Sequence, residues 1–271
     1  MLHQFNYTAP KNRSELLALL SAEGEHAKLL AGGTDLLVNI RAGVLKPTLI
    51  IDIKRVEGYK ELSWSPSEGL SLGPASTIND LLREKRIRED FPLLAICAHD
   101  LASYQIRNRA TVVGNVVNAS PCSDMAPALL CLGAHAELAS SRGKRSIPFY
   151  EFFTGVKKTV MATDELLERI VIPASSASTR GGYHKLKRIN GHDLGIVGVA
   201  VARKGDSLSI AVSSAAPTPI LVKGLSSKTS PDEAVAATLA AVKPISDVRC
   251  TKEYRIFMIE NYVRRLLEET K

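Results

Sequence analysis

The chain has 271 residues, 45% of them hydrophobic, and 35 Lys and Arg against 28 Asp and Glu give it a net charge of +7. That apolar fraction can build a sizeable core and excludes a disordered chain, while the length allows one large domain or two to three small ones. The basic residues are interspersed with acids, as in Arg83-Glu84-Lys85-Arg86, which argues against a nucleic-acid surface; no apolar run approaches the ~18 residues of a membrane span; and the N-terminus MLHQFNYTAP lacks a secretory pattern, so a cytoplasmic protein is expected.

In chain order, Ser14 is placed to cap a first helix running to residue 20, with Glu15 at its positive end. Residues 28–31 read as a short apolar strand. Gly32-Gly33-Thr34-Asp35 follows, and then Leu36, Leu37 and Ile40 at helical spacing. Residues 49–53 (LIIDI) predict a buried strand. The first 55 or so residues thus alternate helix, strand, helix, strand, a small α/β unit. Residues 64–69, with Pro66 and Gly69, read as a polar turn before a strand at 70–73. Thr77, with Asp80 three residues on, opens a capped helix, and residues 91–103 predict another. Residues 104–124 (YQIRNRATVVGNVVNASPCSD) are rich in Asn, Ser, Thr and Gly and have little helical periodicity. A helix is expected to resume at Asp124, with residues 126–132 as its apolar body.

Strands are expected at 136–139 and 166–172, and residues 173–182 (PASSASTRGG) read as a linker. Residues 183–189, 195–203 and 207–213 read as strands, the last two joined by a Lys204-Gly205-Asp206 hairpin turn. Helices at 232–242 and 251–269 end the chain. The second has Tyr254, Phe257, Ile259, Tyr262 and Leu266 among charges, a half-buried amphipathic pattern.

Three stretches carry candidate chemistry. In LLAGGTDL (29–36) two glycines follow a strand and precede a helix, so backbone N–H groups can approach an anion with no Cβ in the way; the same stretch also reads as an ordinary glycine turn. In TVVGNVVNASPCSD (111–124), Asn115, Asn118, Ser120 and Ser123 would suit a polar ligand, or make a turn with Asx-type caps. Asp124 could accept from ligand hydroxyls or cap the following helix. In KLKRINGHDLGIV (185–197), Lys185, Lys187 and Arg188 lie on a strand that could meet an anion or be a solvated edge. Neither GxGxxG nor a Walker-type motif occurs. Cys97, Cys122, Cys131 and Cys250 form no CxxC pair and the six histidines have no HExxH spacing, so no metal site is expected and the thiols read as free. No nucleophile–base set is visible, so an enzyme here would take its chemistry from a cofactor.

Taken together, AGGTDL (31–36), QIRNxATxxGN (105–115), NASPxSD (118–124) and the K…R…DLxIV stretch resemble the FAD-binding medium subunit of molybdenum hydroxylases, the xanthine dehydrogenase and carbon monoxide dehydrogenase relatives. AAPTPI (215–220) and PISDVRCTKEYR (244–255) are similar to that family's C-terminal domain. The resemblance implies an α+β chain: a two-subdomain FAD-binding fold of the PCMH/vanillyl-alcohol-oxidase type over residues 1–55 and 56–175, then a carbon monoxide dehydrogenase flavoprotein-type α+β domain over 176–271. It implies that the FAD pyrophosphate is held by backbone N–H groups of Ala31, Gly32, Gly33, Thr34 and Asp35, flanked by Leu29, Leu30 and Leu36, and of Thr111, Gly114 and Asn115. Asn118, Ser123 and Asp124 match positions near the ribityl and adenosine portions, Leu167 an apolar residue near the flavin ring, and Lys185 a lysine near the ring. One departure is Val113, where the family has a glycine; its side chain is expected to narrow the approach to the pyrophosphate.

The function so implied is a redox subunit with no catalytic residue of its own. It would take electrons from a small [2Fe–2S] chain fed by a large molybdenum-cofactor chain, in a dimer of heterotrimers, and pass them to an external acceptor. A free-standing FAD-dependent oxidoreductase of the same fold and a non-catalytic nucleotide-binding or assembly module are the alternatives.

Overall fold

The protein is described by a computed structural model covering residues 3–271. Its first unit consists of β1 (Asn6–Thr8), α1 (Arg13–Glu23), β2 (Ala27–Leu30), α2 (Leu36–Arg41) and β3 (Leu49–Asp52). The strands form a parallel sheet in the order β1-β3-β2, and α1 buries Leu16, Leu17 and Leu20 against Ile51 and Ile53. The cap of α1 is Asn12 rather than Ser14: the Asn12 side chain accepts from the Glu15 N–H at 2.9 Å. Ser14 lies inside the first turn, and both residue types cap well, so local sequence did not separate them.

The second unit holds β4 (Leu62–Ser65), β5 (Gly69–Leu72), α3 (Ile78–Arg83), α4 (Lys85–Asp90), α5 (Pro92–Asp100), α6 (Tyr104–Arg107), α7 (Val112–Val117), α8 (Ala126–Cys131), β6 (His135–Ser140), β7 (Gly143–Pro148), β8 (Phe153–Gly155), β9 (Lys158–Thr159) and β10 (Leu166–Ile172). Its main sheet is antiparallel, in the order β4-β5-β10-β6-β7. Trp64 is not in a turn but on β4, opposite Leu70, where its ring meets Phe91 edge-on at 5.7 Å. The Thr77–Asp80 capping box of α3 is present. The stretch expected to be irregular contains two short helices, α6 and α7. Thr111 caps α7, and Val112, Val113 and Val116 are buried in the core. Packing has overridden the weak helix propensity of these β-branched residues.

The third unit is an antiparallel sheet, β11 (Arg180–Leu186), β12 (Val197–Lys204), β13 (Ser207–Ser213) and β14 (Ile220–Ser226), followed by α9 (Pro231–Ala241) and α10 (Lys252–Glu269). The last three residues of the expected linker, 180–182, belong to β11, and the hairpin turn between β12 and β13 lies where Gly205 was expected. Both faces of this sheet are covered. On β12, Val197, Val199 and Val201 join the core under α9 and α10, whereas Ala200 and Ala202 join the core of α5 and α8. The strand period of two sorts large residues to one face and small ones to the other. Small side chains let α5 and α8 of the second unit come close, so the third unit is docked rather than tethered. Among the described residues, no helix is long and apolar enough to cross a membrane.

Candidate functional site

A cleft of ≈ 740 Å³ opens between the first two units, and residues 192–194 of the third unit reach its mouth. One wall is the loop between β2 and α2. Gly33 there has φ +76°, a left-handed backbone that disfavours any side chain. Gly32 has a different reason: a Cβ would sit 2.1 Å from the carbonyl oxygen of Arg109. Its lack of a side chain lets this loop touch the chain leading into α7. Among the described residues, the N–H groups of Gly33, Thr34 and Asp35 have no protein acceptor. A row of free amide donors lining a cleft is what a phosphate-bearing ligand requires.

The opposite wall, α7 and residues 118–124, is built differently. The Gly114 N–H donates to Thr111 Oγ1 at 2.9 Å, and the Asn115 N–H to the Thr111 carbonyl at 3.0 Å. These two amides, expected to face phosphate, are engaged inside the cap of α7. The polar side chains are tied to one another. Ser123 Oγ donates to Asn115 Oδ1 at 2.6 Å, and Asn115 Oδ1 also accepts from the Met125 N–H. Val113 points into the core at 5% exposure, so the narrowing expected from its side chain does not occur. Across the cleft, Asn118 Nδ2 donates to Asp35 Oδ1 at 2.9 Å, and Lys157 Nζ donates to Asn118 Oδ1 at 2.8 Å.

Asp124 does not cap α8; the N–H of Ala126, its first residue, donates to Ser123 Oγ at 3.3 Å. Asp124 pairs instead with Lys185, Nζ to Oδ1 2.8 Å, with side-chain exposures of 14% for Asp124 and 1% for Lys185. Burial raises the Asp124 carboxyl above the usual carboxylate range, against the pull of Lys185. β11 ends at Leu186, so Lys187 and Arg188 lie beyond the strand on which they were expected. Each has a carboxylate: Lys187 pairs with Asp100 at 2.7 Å and Arg188 with Asp193, whose carboxyl the guanidinium lowers to about 2.

Thirteen of the sixteen expected site residues line the cleft: Leu29, Ala31 to Leu36, Thr111, Gly114, Asn115, Asn118, Ser123 and Asp124. Leu30, Leu167 and Lys185 lie behind its wall. The side chain of Leu30 packs beneath Gly33, Leu167 is in the core at 2% exposure, and Lys185 reaches the cleft only through Asp124. Sequence reasoning missed the apolar wall of Leu101, Ala102 and Ile106, and Lys157 and His192 at the mouth. It also missed two braces. Lys54 Nζ donates to the Ala31 carbonyl at 3.2 Å and pairs with Asp52 at 2.7 Å, holding the glycine loop from below. Arg249, gripped by Asp247 at 2.6 Å, donates to Cys122 Sγ at 3.3 Å and to the Gly195 carbonyl at 3.1 Å. The same carboxylate holds Arg255, whose side chain is 1% exposed. The PISDVRCTKEYR stretch is therefore a structural clamp behind the cleft.

Residues 3–175 match the family described as the FAD binding domain in molybdopterin dehydrogenase, and residues 182–270 match the CO dehydrogenase flavoprotein C-terminal domain. The carbon monoxide dehydrogenase medium chain of Hydrogenophaga pseudoflava is 34% identical over 97% of this chain and 96% of its own length. The xanthine dehydrogenase FAD-binding subunit of Escherichia coli O157:H7 is 29% identical over 92% of this chain and 90% of its own length. A solved structure of the Hydrogenophaga pseudoflava carbon monoxide dehydrogenase superposes with a TM-score of 0.92 at 30% identity, covering 100% of this chain and 98% of that one. The reconstituted CO dehydrogenase from Oligotropha carboxidovorans gives a TM-score of 0.93 at 29% identity, covering 100% of this chain and 98% of that one. With residues 3–175 and 182–270 both covered by these matches, the chain belongs to the FAD-binding medium subunits of the molybdenum hydroxylases.

Proposed function

We propose that this chain holds FAD as the electron-transfer subunit of a molybdenum hydroxylase, receiving electrons from a small [2Fe–2S] partner and delivering them to an external acceptor. The observation that carries the reading is the pairing of free amides at 33–35 with a polar, cross-tied second wall around one cleft of ≈ 740 Å³, within the usual range for a cofactor site. Bound FAD would supply a carrier able to accept two electrons and release them singly. The chain's own part is to bind and to orient. Gly33, Thr34 and Asp35 offer donors to the pyrophosphate. Asn118 and Ser123 belong to the wall proposed for the ribityl and adenosine portions, and Leu167 and Lys185 support the ring side from behind. The organic substrate would bind a large molybdenum-cofactor chain, which is why this cleft needs no nucleophile–base pair. The proposed assembly is a cytoplasmic dimer of heterotrimers, with the present chain divided as 1–55, 56–175 and 176–271.

The test is the visible spectrum of the purified chain, followed by reduction. Flavin absorbance that dithionite bleaches, while organic substrate bleaches it only when the partner chains are present, is the expected result. Rapid bleaching of the single chain by substrate would replace this reading with a free-standing flavin oxidoreductase. A colourless chain that copurifies with neither flavin nor molybdenum and iron would overturn both.

A further inference from the structure

The Asp124–Lys185 pair is an ionic contact between a carboxylate that lines the cleft and a lysine buried behind its wall. Lys185 is 1% exposed and has one carboxylate, so the pair is electrically neutral while Asp124 is ionised. The charged and titratable groups around Asp124 come from every neighbouring element. α5 contributes Asp100, whose backbone carbonyl lies 3.4 Å from Lys185 Nζ, and Cys97. β11 contributes Tyr183, Lys187 follows it and is bound to Asp100, and His192 and Asp193 line the same cleft. Burial raises Cys97 and Tyr183 far above their ordinary values, so both keep their protons. Asp193 is held ionised by Arg188. Asp124 is nearly buried yet lines the cleft, its carboxyl is raised by desolvation, and its one ion-pair partner is the buried Lys185.

With the FAD ring lying toward Lys185, as the resemblance implies, electrons delivered to it would add negative charge next to the Asp124–Lys185 pair, and a nearby negative charge raises a carboxyl pKa further. We propose that Asp124 is the proton acceptor that accompanies reduction of the bound FAD. The proposal rests on the FAD reading above. Two electrons come from the reductant and one proton comes from solvent through the cleft. One O–H bond of a hydronium ion breaks and one forms on Asp124. The Asp124–Lys185 pair passes from neutral to +1 and offsets one of the added charges; reoxidation reverses each step. Asp124 then acts as the electrostatic counterpart of the electrons, with Lys185 as its ion-pair partner.

The test is the reduced-minus-oxidised infrared difference spectrum of the FAD-loaded chain, with dithionite as reductant, in H2O and D2O. A carboxylic-acid C=O band should appear on reduction and shift in D2O. It should be missing in Asp124→Asn. It should also be missing in Lys185→Met, where Asp124 is protonated before electrons arrive. A redox titration should show the parent taking up one more proton per two electrons than Asp124→Asn. A parent holding flavin but showing no such band overturns the proposal, as does a band that persists in whichever variant retains flavin. A parent that purifies without flavin overturns the functional reading instead.

Discussion

The two walls of the cleft do opposite things with the same residue types. The loop at 31–35 leaves the amides of residues 33–35 free and is held in place from outside, by Lys54 on the Ala31 carbonyl and by the close approach of Gly32 to Arg109. The wall at 111–124 spends its amides and side chains on itself, through the Thr111 cap and the Ser123–Asn115 bond. A glycine and polar-residue count makes them look alike. The difference is that one loop offers backbone donors to a ligand while the other is a rigid surface for it to lie against. Preorganisation of this kind reduces the ordering entropy that binding would otherwise have to overcome.

Four experiments test that contrast. The largest effect is expected at the rigid wall: Asp124→Ala strands the Lys185 ammonium as a buried, unpaired charge and should lower folding stability by about 3–5 kcal/mol in denaturant unfolding. A loss below ~1 kcal/mol would mean that Lys185 reaches water when its partner is gone. Next, Gly32→Val drives a side chain into the Arg109 carbonyl, 2.1 Å from the ideal Cβ. It should cost about 1–3 kcal/mol by overpacking and purify with little flavin. Gly114→Ala meets only the Thr111 hydroxyl, at 2.9 Å, and should keep most of its flavin. Equal flavin-to-protein ratios in the two variants would erase the asymmetry between the walls.

A smaller effect is expected for Ser123→Ala, which removes the tie to Asn115 and the acceptor of the Ala126 N–H. Stability should fall by ~1 kcal/mol, and flavin affinity, read by fluorescence titration, by about fivefold. Unchanged affinity would show that the cross-ties do not preorganise the wall. The smallest concerns the clamp behind it. Arg249, then Arg255, hold the Asp247 carboxyl well below the usual carboxylate range. A depressed folded-state pKa contributes stability that is present above the unfolded value, ~3.9, and is lost as pH falls toward the folded one. The gap in thermal midpoint between the parent and Asp247→Asn should therefore be constant near neutral pH and close as pH drops below ~4. A gap that does not change with pH would remove the clamp's electrostatic role.

Much of the fold was legible because its signals are local. The Thr77–Asp80 capping box, the turn at Gly205, the amphipathic α10 and the glycine loop before α2 each lie within a few residues of chain, and all are present. The errors share one cause. Trp64 is a strand residue because it pairs with Leu70 and meets Phe91. Val112–Val117 is a helix because its valines find a core. β1, β7 and β14, which periodicity passed over, exist as partners of β3, β6 and β13. In each case a long-range contact outweighed a weak local preference.

The site divides the same way. Legible in the sequence were two polar, glycine-bearing stretches and the residues that compose them, because residue types at short spacing mark turns and caps; that the second of them is largely a helix was not. What those residues do follows from packing between distant parts of the chain. Gly32 matters for Arg109, Cys122 is held by an arginine 127 positions away, and Asp124 faces Lys185 on the third unit rather than the helix it precedes. Burial and ion pairing set those roles, and both are fixed by which elements pack together, a property no local pattern of side chains contains.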